Sequence, residues 1–134
     1  MTPMRPHAFA AGSGKRDLAR VALARLQEAA PAPKDWIALP AGAPYGRIAI
    51  SSDGCTLCLA CVGACPVNAL ADNPERPEVA FTEAACVQCG ICVATCPETV
   101  ISIEPRYDFT SGALTPRVLH GEEPFHCVRC GKPF

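Results

Sequence analysis

Between Lys15 and about Ala30, apolar residues recur three and four positions apart. Leu18, Val21, Ala22, Leu26 and Ala29 share one helical face. Ser13 stands where an N-cap belongs, and Pro31 and Pro33 stop the run. The spacing predicts an amphipathic helix that packs by this face on the rest of the protein or on a partner. Next comes a Pro/Gly-rich connector over residues 31–46, with Trp36, Ile37 and Leu39 as expected anchors. Trp36 and Tyr45 read as packing residues and not as ligand contacts. Three short β runs follow: 47–50 (Arg-Ile-Ala-Ile), 78–82 (Glu-Val-Ala-Phe-Thr) and 100–104 (Val-Ile-Ser-Ile-Glu), the last expected to end at Pro105. Residues 71–77 have turn chemistry. Residues 1–12, rich in Pro and Ala, are expected to be mobile.

Composition changes this picture. The 134 residues include 10 Cys, 14 Pro and 10 Gly, but only 5 Phe, 2 Tyr and 1 Trp. So few large apolar side chains call for a covalent or metal staple. The N-terminus has no apolar secretory core and no twin arginine, and no run of 18 apolar residues occurs. This favours the cytoplasm, no membrane insertion, and thiols kept reduced for metal. The net charge of −1 is unevenly spread: +4 over residues 1–50, −6 over 51–104 and +1 over 105–134. An acidic centre argues against a nucleic-acid reader. Lys15, Arg16, Arg20 and Arg25 read as a solvated helix face or a partner contact. Gly12-Ser-Gly-Lys15 is no phosphate loop, because Phe9 and Arg16 stand where a Gly and a Ser or Thr are required.

The chemistry lies in an internal repeat. Cys55, Cys58, Cys61 and Cys65 are followed by Pro66; Cys86, Cys89, Cys92 and Cys96 are followed by Pro97. Both copies are C-x2-C-x2-C-x3-C-P, the spacing of a [4Fe–4S] run. Three cysteines at two-residue gaps let one tight loop wrap three corners of a cube. Its backbone N–H groups can then point at the sulfurs. The fourth cysteine begins a short helix and faces away from its own loop, so it ligates the other cluster. Cluster I is expected on Cys55, Cys58, Cys61 and Cys96, and cluster II on Cys65, Cys86, Cys89 and Cys92. Leu57, Leu59, Val62, Val67, Val87, Ile91, Val93 and Val100 can sheathe the clusters in apolar surface. Gly90 is expected where the backbone approaches closely, its match in the first copy being Leu59 or Ala60. The two shells differ, so unequal potentials are expected, in no assigned order. Zinc explains two-cysteine knuckles better than this four-cysteine run.

On these motifs, residues 47–104 resemble the dicluster 2[4Fe–4S] bacterial-type ferredoxins and the ferredoxin-like subunits of larger oxidoreductases. The resemblance implies an α+β fold: a ferredoxin-type pseudo-twofold dicluster domain with short β-hairpins and two short helices, here preceded by the N-terminal helix. It implies one-electron transfer at each cluster. Three segments are expected: a leader over 1–46, the cluster domain over 47–104 and a tail over 105–134. Two oxidised clusters with their thiolates carry −4 formally, which suits partners with a basic docking face.

The tail holds one more cysteine pair, Cys127-Val-Arg-Cys130-Gly. This is a knuckle of the zinc-ribbon or rubredoxin type, half of a four-ligand zinc or iron site. His126, His120 and His7 are poorly placed to complete it. The expectation is that the second half lies on a partner, or that the sequence is a front part of a longer polypeptide. Two free thiols on a frayed tail is the plainer reading. No acid–base pair, nucleophile or open metal site occurs, so the chain is expected to be no enzyme itself. It reads as an electron-transfer subunit or domain of a cytoplasmic oxidoreductase system, with redox proteins as partners. The contrasting reading is a redox- or oxygen-sensing, or structural, iron–sulfur interaction protein.

Overall fold

The computed structural model describes residues 14–133. The proposed N-cap Ser13, the expected mobile stretch and His7 lie outside them. The chain order is α1 (Lys15–Glu28), β1 (Trp36–Ala38), β2 (Gly46–Ile50), α2 (Ala60–Ala64), β3 (Leu70–Asn73), β4 (Arg76–Phe81), α3 (Ile91–Thr95), β5 (Ile101–Asp108) and β6 (Arg117–Gly121). Short 3-10 turns occupy Glu83–Ala85 and Ser111–Leu114. The result is a small mixed α and β fold. Its two antiparallel three-stranded sheets are ordered β1-β5-β2 and β3-β4-β6.

The expected strand over 100–104 does not stop at Pro105. β5 changes partner there: residues 101–105 pair with β2 and residues 106–108 with β1. The missing proline N–H falls at the exchange, where a strand tolerates it. The turn over 71–77 is also shorter than expected. Ala71–Asn73 belong to β3, and the chain reverses at Pro74-Glu75. Asn73 Oδ1 accepts the Glu75 N–H at 2.9 Å, an Asx-type closure. β6 then adds the tail to the sheet through β4. Trp36 and Ile37 anchor the connector by strand pairing and not by burial, since both side chains are exposed.

Period-2 alternation puts one face of three strands on the core. Ile48, Val79, Phe81 and Ile101 are buried there with Ala69, Leu70, Cys61 and Cys86. Val79 and Phe81, two residues apart on β4, are the largest fully buried side chains. Burying each contributes about 1.5–3 kcal/mol.

Helix α1 docks by a face the hydropathy pattern did not indicate. Leu18, Val21 and Leu26 are exposed. Arg16, Ala19, Arg20, Leu23 and Gln27 are half-buried instead, joined from the expected face by Ala22 alone. Arg16 donates from Nε to the Ala84 carbonyl (3.1 Å) and from one terminal nitrogen to the Pro44 carbonyl (2.8 Å). Its other terminal nitrogen reaches the Cys86 carbonyl. The Arg16 guanidinium also stacks 4.2 Å from the Tyr45 ring centroid, and that of Arg20 lies 5.4 Å from Tyr107. These two arginines are therefore docking groups and not a solvated face. The long side chain covers apolar surface while its planar head meets carbonyls and ring faces. Arg25 stays on the exposed side, paired with Glu28.

Candidate metal centre

The two cysteine runs fold alike, residue for residue at a separation of 31 positions. Each makes a loop with two residues at positive φ, Leu57 (54°) and Leu59 (61°) in one and Gln88 (57°) and Gly90 (75°) in the other. Each then enters a five-residue helix, Ala60–Ala64 or Ile91–Thr95. Each leaves through a third left-handed residue, Asn68 (52°) or Thr99 (51°). The match of Gly90 is thus Leu59. Gly90 answers the positive φ, and beyond its chain neighbours no described protein atom lies within 4 Å of where a Cβ would stand. Leu59 accepts the same conformation at a cost of about 1–2 kcal/mol. Alternating the two backbone hands turns successive N–H groups toward one side, the geometry of an anion-binding concavity.

The cysteines gather around two small cavities of equal size, about 20 Å³ each. One is lined by Cys55, Cys58, Cys61 and Cys96. The other is lined by Cys65, Cys86, Cys89 and Cys92. In each, two thiols come from one copy's loop, the third from the helix that follows it, and the fourth from the other copy, where Cys65 or Cys96 caps the end of its helix and does not begin one as expected. The strands explain why the two cavities lie side by side. β2 gives Ile50 to the first and Ile48 to the second; β4 gives Val79 and Phe81; β5 gives Ile101 and Ile103. Each pair is two residues apart, so one inward strand face serves both sites.

Of the residues expected to sheathe the sites, Leu57, Leu59 and Val100 line the first cavity and Val67 and Val87 the second. Val62 and Val93 pack on the core, while Ile91 is exposed. The pattern missed Phe81 and Val79 as walls, although both lie in a predicted strand.

Local electrostatics fit cluster chemistry. Burial, and then the neighbouring Cys55 and Cys58, push the Cys61 thiol up. Cys92 is raised by burial and by Cys86, Cys89 and Cys61. Crowded, half-buried thiols resist ionising together, so four thiolates here would need a positively charged group such as an iron core to stabilise them. Backbone donors already point at sulfur: Ala69 N–H to Cys65 Sγ at 3.2 Å and Gln88 N–H to Cys86 Sγ at 3.4 Å. Among the described residues, no three His, Cys, Asp or Glu side chains converge to hold a single metal ion. A four-iron cluster makes a different demand, with its thiolates at separate corners around a space.

Residues 54–101 match the family model of the 4Fe-4S dicluster domain.

These residues therefore form a 4Fe–4S ferredoxin-type domain, a metal-binding unit of the kind that carries electrons. No curated protein matches the chain. Among the described residues no helix is long and apolar enough to cross a membrane. Within the 4Fe–4S domain, the buried carboxylate Glu83 accepts two bonds, at 2.7 Å each, from Arg106 beyond the domain's end, and Asp108 lies 3.4 Å from the same guanidinium. This ties the 3-10 turn just before Cys86 to β5.

The tail cysteines stand apart from both cavities' linings. Cys127 N–H donates to the Lys132 carbonyl (2.9 Å) and Gly131 N–H to the Cys127 carbonyl (2.8 Å), with Gly131 at φ +69°. A bridge between His126 and Pro133 closes the loop, so this part of the tail is folded and not frayed. Backbone N–H groups of Arg129 and Cys130, then the Cys130 side chain, hold the Cys127 thiol below its ordinary range. The His120 side chain is nearly buried and lies 3.9 Å from Glu122.

Proposed function

We propose that the chain is a one-electron carrier built on two [4Fe–4S] clusters. Cluster I takes Cys55, Cys58, Cys61 and Cys96; cluster II takes Cys65, Cys86, Cys89 and Cys92. The observation that carries this reading is the sorting of eight thiols into two cavities, four to each, with Cys65 and Cys96 exchanged between copies. When bound, each cluster cycles between two states one electron apart. The chain's own residues exclude water with Ile48, Phe81 and Val79, and direct backbone N–H groups at thiolate sulfur. Hydrogen bonds to sulfur stabilise the more negative reduced state, and the apolar walls oppose it. Four cysteine thiolates per cluster leave no iron open to substrate, so electron transfer and not catalysis is the role.

The acidic 51–104 segment suits a redox partner with a basic docking face, such as a larger cytoplasmic oxidoreductase. Anaerobic protein-film voltammetry tests the carrier role. Two reversible one-electron waves are expected. Clusters that bleach or fail to cycle would overturn it in favour of a sensing or structural iron–sulfur protein.

A separate observation supports a role for the tail. The Cys127–Gly131 turn, closed by the Gly131 N–H on the Cys127 carbonyl with Gly131 at positive φ, has the form of a knuckle that could present two thiolates to one zinc or iron ion. The remaining ligands come from a partner or from further chain. Metal analysis of Cys127→Ser/Cys130→Ser tests it against the parent protein saturated with zinc; unchanged bound zinc would end this reading.

A further inference from the structure

The two cavities repeat one backbone but not one set of donors. At the first positive-φ position, copy one has Leu57 and copy two has Gln88. Leucine has nothing to donate. Gln88 donates from Nε2 to the Arg47 carbonyl at 3.1 Å and toward Cys86 Sγ at 3.5 Å, beside its own backbone N–H bond to the same sulfur. Room for this amide exists because residue 46 is glycine. A Cβ there would stand 2.5 Å from Gln88 Cδ and 2.4 Å from the Glu104 carbonyl oxygen.

The arrangement has a cost. Gln88 Oε1 is buried without a hydrogen-bond partner. Turning the amide over would not help, since it would set Oε1 against a carbonyl oxygen and a sulfur, both acceptors. A buried unpaired acceptor is uncommon and calls for an offsetting role. The only acceptor that gains in charge when the protein works is the sulfur. Arg16 adds to the same side: its guanidinium binds the Cys86 carbonyl. A fixed positive charge and an extra N–H dipole both favour the more negative reduced state.

We propose that Gln88 is a positioning residue that raises the reduction potential of the cluster at Cys65, Cys86, Cys89 and Cys92 above that of its neighbour. The first electron to enter then rests on that cluster, next to the docked helix α1. This rests on the two-cluster reading and assigns the order of the two sites.

The chain contains only two glutamines, Gln27 and Gln88, and Gln27 is tied to the Lys34 carbonyl at the far end of α1. The holoprotein made with side-chain 15N-glutamine therefore reports on Gln88 alone. Pulsed EPR of the one-electron-reduced protein is expected to show a 15N coupling. A coupling seen only after the second electron would reverse the assigned order. A coupling seen at neither level would remove Gln88 from the cluster's surroundings. Redox titration of Gln88→Leu is expected to lower the upper couple by about tenfold in its reduction equilibrium, ~59 mV, and leave the lower couple in place. If that variant loses iron, Arg16→Gln supplies the second arm, with the same couple falling. An unmoved upper couple in the iron-replete variant would overturn the proposal. Failure of the two-cluster reading is distinguishable, because it shows as one couple and one EPR-active centre in the unmutated protein.

Discussion

Glu83→Gln tests whether the buried ion pair behind the second cysteine loop holds that loop in place. Glu83 and Arg106 face each other with side chains 7% and 9% exposed and two 2.7 Å bonds between them. Removing one partner of such a pair leaves a charge buried and uncompensated, which costs about 3–5 kcal/mol. Asp108, 3.4 Å from Arg106, supplies a partial substitute, so the lower end, about 3 kcal/mol, is expected. At 1.4 kcal/mol per tenfold, this is on the order of 10²-fold. Anaerobic loss of visible absorption in guanidinium measures it, with the holoprotein and the variant compared at one denaturant concentration. The pair Arg47–Glu104 is the control: its side chains are 39% and 44% exposed, so its loss costs about 0–1 kcal/mol. Adding Arg106→Met to Glu83→Gln should cost less than the sum of the two single changes, because the buried charge is then gone. If Glu83→Gln bleaches no faster than Glu104→Gln, the ion pair is not what anchors the loop.

Cys96→Ser and Cys61→Ser, in different copies, are expected to lose the same EPR signal, while Cys65→Ser loses the other; loss of the two signals by copy would refute the exchange. Gly46→Ala should cost at least about 2 kcal/mol by overpacking and displace Gln88, read by chemical denaturation; a neutral effect would contradict the close packing described. Arg16→Ala should free α1 and speed hydrogen exchange of its amides without affecting β4; unchanged exchange in α1 would show that other contacts dock the helix.

Much of the site was legible because cysteine spacing is chemically restrictive. The loops, β2 and β4 follow from the repeat and the short apolar alternations; the short helices were expected to begin at Cys65 and Cys96, where they end instead. Helix α1 was predicted as an element but with the wrong face inward. Hydropathy gives Arg16 and Arg20 no credit for covering surface, and their landing places, Tyr45, Tyr107 and three carbonyls, are distant in sequence. Pro105 misled for a related reason: a proline ends a strand only if its N–H was needed, and here the strand changes partner at that residue. Gln88 left no signal at all, because its importance depends on Gly46, some forty positions earlier. The pairing of β6 with β4 is equally non-local.

Iron and acid-labile sulfide analysis with EPR spin quantitation of the fully reduced protein tests the central claim most directly. The account predicts about eight irons and eight sulfides per chain and two interacting one-electron centres. About four irons with one centre, or zinc in place of iron at the eight cysteines, would contradict it.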